Sequence, residues 1–184
     1  MSNKISRRQF LYMGGLATAS VALRDFLGVA ETFAQDGDSI GLLAYQHERQ
    51  KIASLSDLTV NEPTMFRYPY DHATAENQLI KMGVPAGGGI GPDHDVVAFH
   101  STCPHQGGPL ANTYKADHQA LGPCPFHLST FDLTRHGMII SGHASQGLSQ
   151  IVLELDGDDI YAVGVMGLLY GYYDNAVDPS SLGV

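Results

Sequence analysis

The sequence predicts an all-β domain, a small sandwich or partly open barrel of short strands, preceded by an N-terminal signal segment. Three observations carry this. No helical period runs for more than two turns after residue 50. Short apolar or alternating runs are instead separated by turns rich in Gly, Pro and Asp. Residues 151–165, "IVLELDGDDIYAVGV", form the clearest hairpin, with Asp156 and Gly157 starting its turn.

The elements follow in chain order. Residues 1–34 contain "SRRQFLYMGGLATASVAL", two arginines followed by a Gly/Ala-rich apolar run of ~14 residues. Ser6-Arg7-Arg8-Gln9-Phe10-Leu11 resembles the core of a twin-arginine export signal. Thr32-Phe33-Ala34 before Gln35 offers a small-x-small cleavage site. The domain is then 35–184, opening with a polar linker and a first edge segment over 35–48. "TMFRYPY" (64–70) alternates like a strand, and Pro69 ends it or puts it at a sheet edge. "VPAGGGIGPDHD" (84–95) is a glycine-rich turn; it lacks the Lys and Ser/Thr that a phosphate cradle requires. "DVVAFHS" (95–101) is a short buried strand. "STFDL" and "GMIIS" are strands joined through "TRHG". "GLLYGYYDN" (167–175) brings three tyrosines, read as packing onto the domain.

Composition narrows the function. The chain has 184 residues, 43% hydrophobic and 16% charged, enough for one globular domain with a core. Its net charge is −9. Residues 1–34 hold four of the ten basic and two of the nineteen acidic residues, so the rest carries −11. Such a body lacks the basic surface that phosphate backbones need, and it suits steering toward a basic protein partner. No apolar run approaches the ~20 residues of a membrane-spanning helix, so no stable span is expected.

The chemistry lies in two loops. The chain has only two cysteines, and each has a histidine within three positions: Cys103-Pro104-His105, then 18 residues, then Cys124-Pro125-Phe126-His127. Two thiolates and two imidazoles satisfy tetrahedral zinc, although zinc knuckles normally open Cys-x-x-Cys with the histidines together. Chance among nine histidines would leave both pairings, and their Gly/Pro-rich loops, unexplained. The third reading is a [2Fe–2S] cluster in which two histidines replace two cysteines on one iron.

Cys-x-His and Cys-x-x-His on facing loops, with Gly107 and Pro125, resemble the Rieske family. The resemblance implies one Rieske-type [2Fe–2S] cluster per chain, with cluster-binding loops over about 100–148. Cys103 and Cys124 would hold the buried iron, and His105 and His127 the outer iron, from which an electron can leave. Quinol-oxidising members also clamp the loops with a disulfide; the corresponding positions here are Gly108 and Phe126. Packing by Phe126, Pro109 and Pro125 is expected in its place. Members also aim hydroxyls at the cluster in the pattern Cys-x-x-His-x-Ser-x-Tyr. Ser129 keeps the first, and Phe131 lacks the second. The implied potential is well below the top of the Rieske range of about −150 to +300 mV. The third loop, "SGHASQGLSQ" (141–150), lacks the usual proline. His143 on it is read as a surface residue, with approach to the cluster as the alternative, and His100, His118 and His136 as solvated or packed, not ligands.

A wider resemblance covers most of residues 40–175. "NEPTMFRYPY", "GGGIGPDHDVVAFHSTCPH", "CPFHLSTFDL" and "AVGVMGLLYG" together are similar to the small subunit of the arsenite oxidase family. This implies an exported, periplasmic electron-transfer subunit of an oxidoreductase. It would pair with a large molybdopterin iron–sulfur catalytic subunit and pass electrons to cytochrome c or an azurin-like copper protein. The chain would catalyse nothing alone. A sister complex acting on another oxyanion, such as iodate, with electrons running inward, is the first alternative. A zinc-binding structural protein and a ring-hydroxylase ferredoxin are the others; the export signal fits the ferredoxin poorly.

Overall fold

The computed structural model describes residues 44–176 and 178–182. The signal segment expected over 1–34 lies outside them. The described chain is all-β, with short 3-10 turns as its sole helical elements. None of its helices is long and apolar enough to cross a membrane.

Ten strands make two antiparallel sheets. Six belong to the first: β1 (Ala44–Ser54), β2 (Thr64–Arg67), β3 (Glu76–Lys81), β4 (Val96–His100), β9 (Gln150–Asp156) and β10 (Asp159–Met166). Their spatial order is β1-β10-β9-β4-β3-β2. The second sheet, inserted between β4 and β9, runs β5-β6-β7-β8: Tyr114–Lys115, Ala120–Leu121, Thr130–Asp132 and Met138–Ser141. The 151–165 hairpin stands as expected, with Gly157 in the left-handed region at φ 64°. The "TMFRYPY" strand ends at Arg67 and lies at a sheet edge, before a cis Tyr68-Pro69 bond. The first edge segment is longer than the sequence suggests and continues to Ser54.

The sequence reading missed β3, for a physical reason. Asn77, Gln78, Leu79 and Ile80 are all buried, so both faces are covered and no alternation appears. Leu79 faces one apolar cluster with Val96, Ala98, Ile151 and Ile160. Ile80 faces the other with Val97, Phe99, Leu121, Phe131 and both cysteines. The second cluster joins the six-stranded sheet to the loops that carry the site. Truncating a buried phenylalanine such as Phe99 to alanine costs about 3–5 kcal/mol.

Two polar devices fix the loops between the sheets. The buried Asp95 carboxylate takes Lys81 Nζ at 3.2 Å and the Gly83 N–H at 3.1 Å, which closes the 84–95 turn. Buried Gln150 on β9 donates from Nε2 to the Gly87 carbonyl at 2.8 Å and accepts from His136 Nδ1 at 2.8 Å. One side chain thus ties the first sheet to the glycine-rich turn and to the β7–β8 connection.

His100 ends β4. Its Nδ1 donates to Asn77 Oδ1 at 3.2 Å, and Asn77 is itself oriented by donating to the Tyr68 and Ala75 carbonyls. His100 Nε2 has no hydrogen-bond partner among the described residues. Burial pushes the imidazole pKa down to about 4, against a weaker upward pull from the Glu76 backbone. The unfolded chain, at about 6.5, therefore binds the proton first. Stability is full above pH ~6.5 and falls by up to about 3 kcal/mol as the pH drops toward 4. Urea denaturation at pH 7 and pH 4.5 should show this loss, and His100→Gln should flatten that part of the profile relative to wild type.

Candidate metal centre

The two motif loops share one backbone frame. In the first, the Cys103 N–H donates to the Gly108 carbonyl at 2.8 Å, and the Cys103 carbonyl accepts from Gly107 N–H at 3.0 Å. In the second, the Cys124 N–H donates to the Ser129 carbonyl at 2.8 Å, and its carbonyl accepts from Leu128 N–H at 2.9 Å. The residue four positions after each cysteine is left-handed: Gly107 at φ 70° and Leu128 at φ 62°. A branched aliphatic residue pays for that conformation, at about 1–2 kcal/mol. Both loops curl a cysteine inward and a histidine outward.

The result is a polarity from core to surface. Cys103 is 1% exposed and Cys124 2%; both thiols are free of any disulfide and sit in the apolar cluster beneath the loops. His105 is half-buried and His127 exposed, with ring centroids 4.7 Å apart in a T-shaped contact. The four residues picked from the sequence are therefore brought together, sulfur inside and nitrogen outside. Among the described residues no three donors close around a single point. A binuclear group instead needs two donors on each of two irons.

Electrostatics agree with a cationic guest. Burial, the largest effect, pushes the Cys103 thiol above its ordinary pKa. The neighbouring Cys124 sulfur pushes the same way, opposed by the His105 backbone N–H and the Ser129 hydroxyl. The buried Cys103 thiol therefore resists ionisation until a bound metal supplies positive charge. The donor set fits a [2Fe–2S] group bound by Cys103, Cys124, His105 and His127.

The tuning residues are placed as follows. Ser129 is fully buried; its Oγ accepts from the His143 and Ala144 N–H groups at 3.2 and 3.1 Å, and its hydroxyl pulls the Cys103 thiol downward against the effect of burial. Phe131 is fully buried in the cluster that holds both cysteines. Gly108 and Phe126 touch. A Cβ on Gly108 would lie 3.2 Å from the Phe126 ring and 2.5 Å from Cys124 Sγ. Phe126 covers Gly108 while 57% of it is exposed.

His143 is a surface residue, as read from the sequence, and it also approaches the site: its ring centroid stands 5.9 Å from His105 and 6.0 Å from His127. Ser129 draws the 143–144 backbone up to the site. His100 is packed, and His136 is held by Gln150. The tyrosine tail was missed as part of this region. A Cβ on Gly107 would meet Tyr170 Cε1 at 2.5 Å.

Comparison with known proteins gives a consistent picture. A family model described as Rieske [2Fe-2S] domain matches residues 50–152. The chain is 53% identical over 177 residues to iodate reductase subunit IdrB of Pseudomonas sp. (strain SCT), covering 96% of this chain and 88% of that one. It is 55% identical over 171 residues to the subunit of the same name from Denitromonas iodatirespirans, covering 93% and 86%. In fold it is similar to the soluble domain of Rieske protein II from Sulfolobus acidocaldarius, with a TM-score of 0.63 and 22% identity over 73% of this chain and 90% of that one.

Gly108→Ala should force a methyl group against Cys124 Sγ. We expect a loss of about 1–3 kcal/mol from overpacking, with a matching fall in iron bound per chain by metal analysis. Unchanged iron stoichiometry would mean that the loop yields freely there.

Proposed function

The chain belongs to the Rieske [2Fe–2S] domain family and serves as an electron-transfer subunit with that cluster; on this premise we propose that it is the small subunit of an iodate reductase. The observation that carries the finer reading is the match to two iodate reductase subunits over nearly the whole chain. That match favours iodate over arsenite as the substrate of the complex. Substrate would bind on a large molybdopterin partner.

Cys103, Cys124, His105 and His127 would hold the cluster, which when bound supplies a site for one electron at a time. The residues then do three things. The buried cysteines anchor the group in the apolar core and keep water from its inner side. The outer histidines give the electron a short route to a docked protein. The Ser129 hydroxyl would favour the reduced state by hydrogen bonding to sulfur.

With iodate as terminal acceptor, electrons run inward, from a periplasmic donor such as cytochrome c, through this subunit, to the large one. The net charge of −9 suits a basic donor. Export follows the twin-arginine segment, a route suited to a subunit carrying its cofactor and a folded partner.

The test is purification of the full chain with its copurifying partner, followed by iron, zinc and molybdenum analysis, EPR after dithionite, and turnover with iodate and with arsenite. We expect iron and molybdenum, a rhombic signal with average g below that of all-cysteine clusters, and iodate reduction. Arsenite oxidation without iodate reduction would overturn the substrate. Zinc with no EPR signal would overturn the electron-transfer role of these ligands.

The missing hydroxyl at Phe131 can be restored. A hydrogen bond to a charged acceptor is worth about 1.5–3 kcal/mol. At one electron, 1.4 kcal/mol corresponds to about 59 mV. Phe131→Tyr should therefore raise the midpoint potential by roughly 60 mV or more, by EPR-monitored titration.

A further inference from the structure

Gly107 and Leu128 occupy the same place in two loops with the same hydrogen-bond frame and the same left-handed backbone. Leu128 shows that this place does not require glycine. What differs is the neighbourhood. Leu128 is 65% exposed. Gly107 lies under the Tyr170 ring: a Cβ there would come within 2.5 Å of Cε1, 3.0 Å of Cζ and 3.1 Å of Cδ1. Glycine is needed in the first loop because an aromatic ring lies against its backbone.

That ring is delivered by a stapled tail. Leu169 is fully buried, and Asn175 accepts from its N–H at 3.0 Å while donating to the Gly167 carbonyl at 2.7 Å. Ser149 Oγ donates to the Leu168 carbonyl at 2.7 Å. Tyr70 Oη donates to the Asn175 carbonyl at 2.8 Å, and the Tyr172 hydroxyl is 2.9 Å from Thr74 Oγ1. Tyr170 therefore projects from a fixed turn onto a loop that has no disulfide to hold it. We infer that Tyr170 is a positioning residue: it clamps the first cluster-binding loop from outside and limits water at its ligands, Cys103 and His105. The inference rests on the ligand assignment proposed above.

The experiment uses the full chain with its copurifying partner. Tyr170→Ala should open the loop, speeding chelator-driven bleaching of the cluster about tenfold, the factor equivalent to 1.4 kcal/mol. It should also shift the midpoint potential positive, because admitted water stabilises the more negative reduced state. Tyr170→Phe keeps the ring and should keep wild-type bleaching, potential and EPR line shape. Gly107→Ala should cost most of the bound iron in wild type but far less in the Tyr170→Ala background, where the site becomes like that of Leu128. Wild-type potential and bleaching in Tyr170→Ala, or equal damage from Gly107→Ala in both backgrounds, would overturn the clamp. Absence of any [2Fe–2S] signal from the wild-type protein would instead overturn the ligand assignment beneath it.

Discussion

Two sulfurs side by side in an apolar core are the constraint on which this structure depends. Cys103 and Cys124 are nearly inaccessible, and burial, together with the neighbouring Cys124 sulfur, raises the cost of charging Cys103. A protein pays for such a pair only where something positive binds both. The rest of the domain follows from that need. The second sheet and its loops enclose the sulfurs, the six-stranded sheet supplies the apolar floor, and the histidines complete the donor set where the enclosure opens.

Holding those loops is the second problem, because both cysteines are free of any disulfide and no crosslink ties one loop to the other. Several weaker contacts share the task. Phe126 of the second loop covers Gly108 of the first. Ser129 gathers the third loop through two backbone N–H groups. The tail at 167–175 presses on the first loop from the far side. Each contact is modest, and together they reach all three loops, so no single one has to carry the stability of the site.

Much of this was legible in the sequence. The hairpin at 151–165, the buried strand at β4 and the paired motifs depend on local chemistry: turn residues, apolar runs and donor spacing. The rest depends on contacts distant in sequence. β3 hides because Asn77 and Gln78 are polar yet buried on opposite faces of a covered strand. The two-residue strands β5 and β6 exist only through pairing with each other and with β7. His143 and Tyr170 gain meaning from where a third loop and a tail are brought, which residue spacing does not encode. Gly107 was noted as a motif glycine, but the ring that requires it lies in another segment of the chain.

Gln150 gives the architecture its mechanical character. Because its one amide group bonds both the glycine-rich turn and the β7–β8 connection, the two sheets share a single frame. Swinging the second sheet away from the first would break the His136 bond and leave the buried Gln150 carbonyl without that partner. Among the described residues the histidine tip is therefore a fixed part of the domain rather than a hinged one. The reach of its electron is set by how closely other proteins seat themselves against the tip, and selection for rate would act on their docking surfaces more than on any hinge within this subunit.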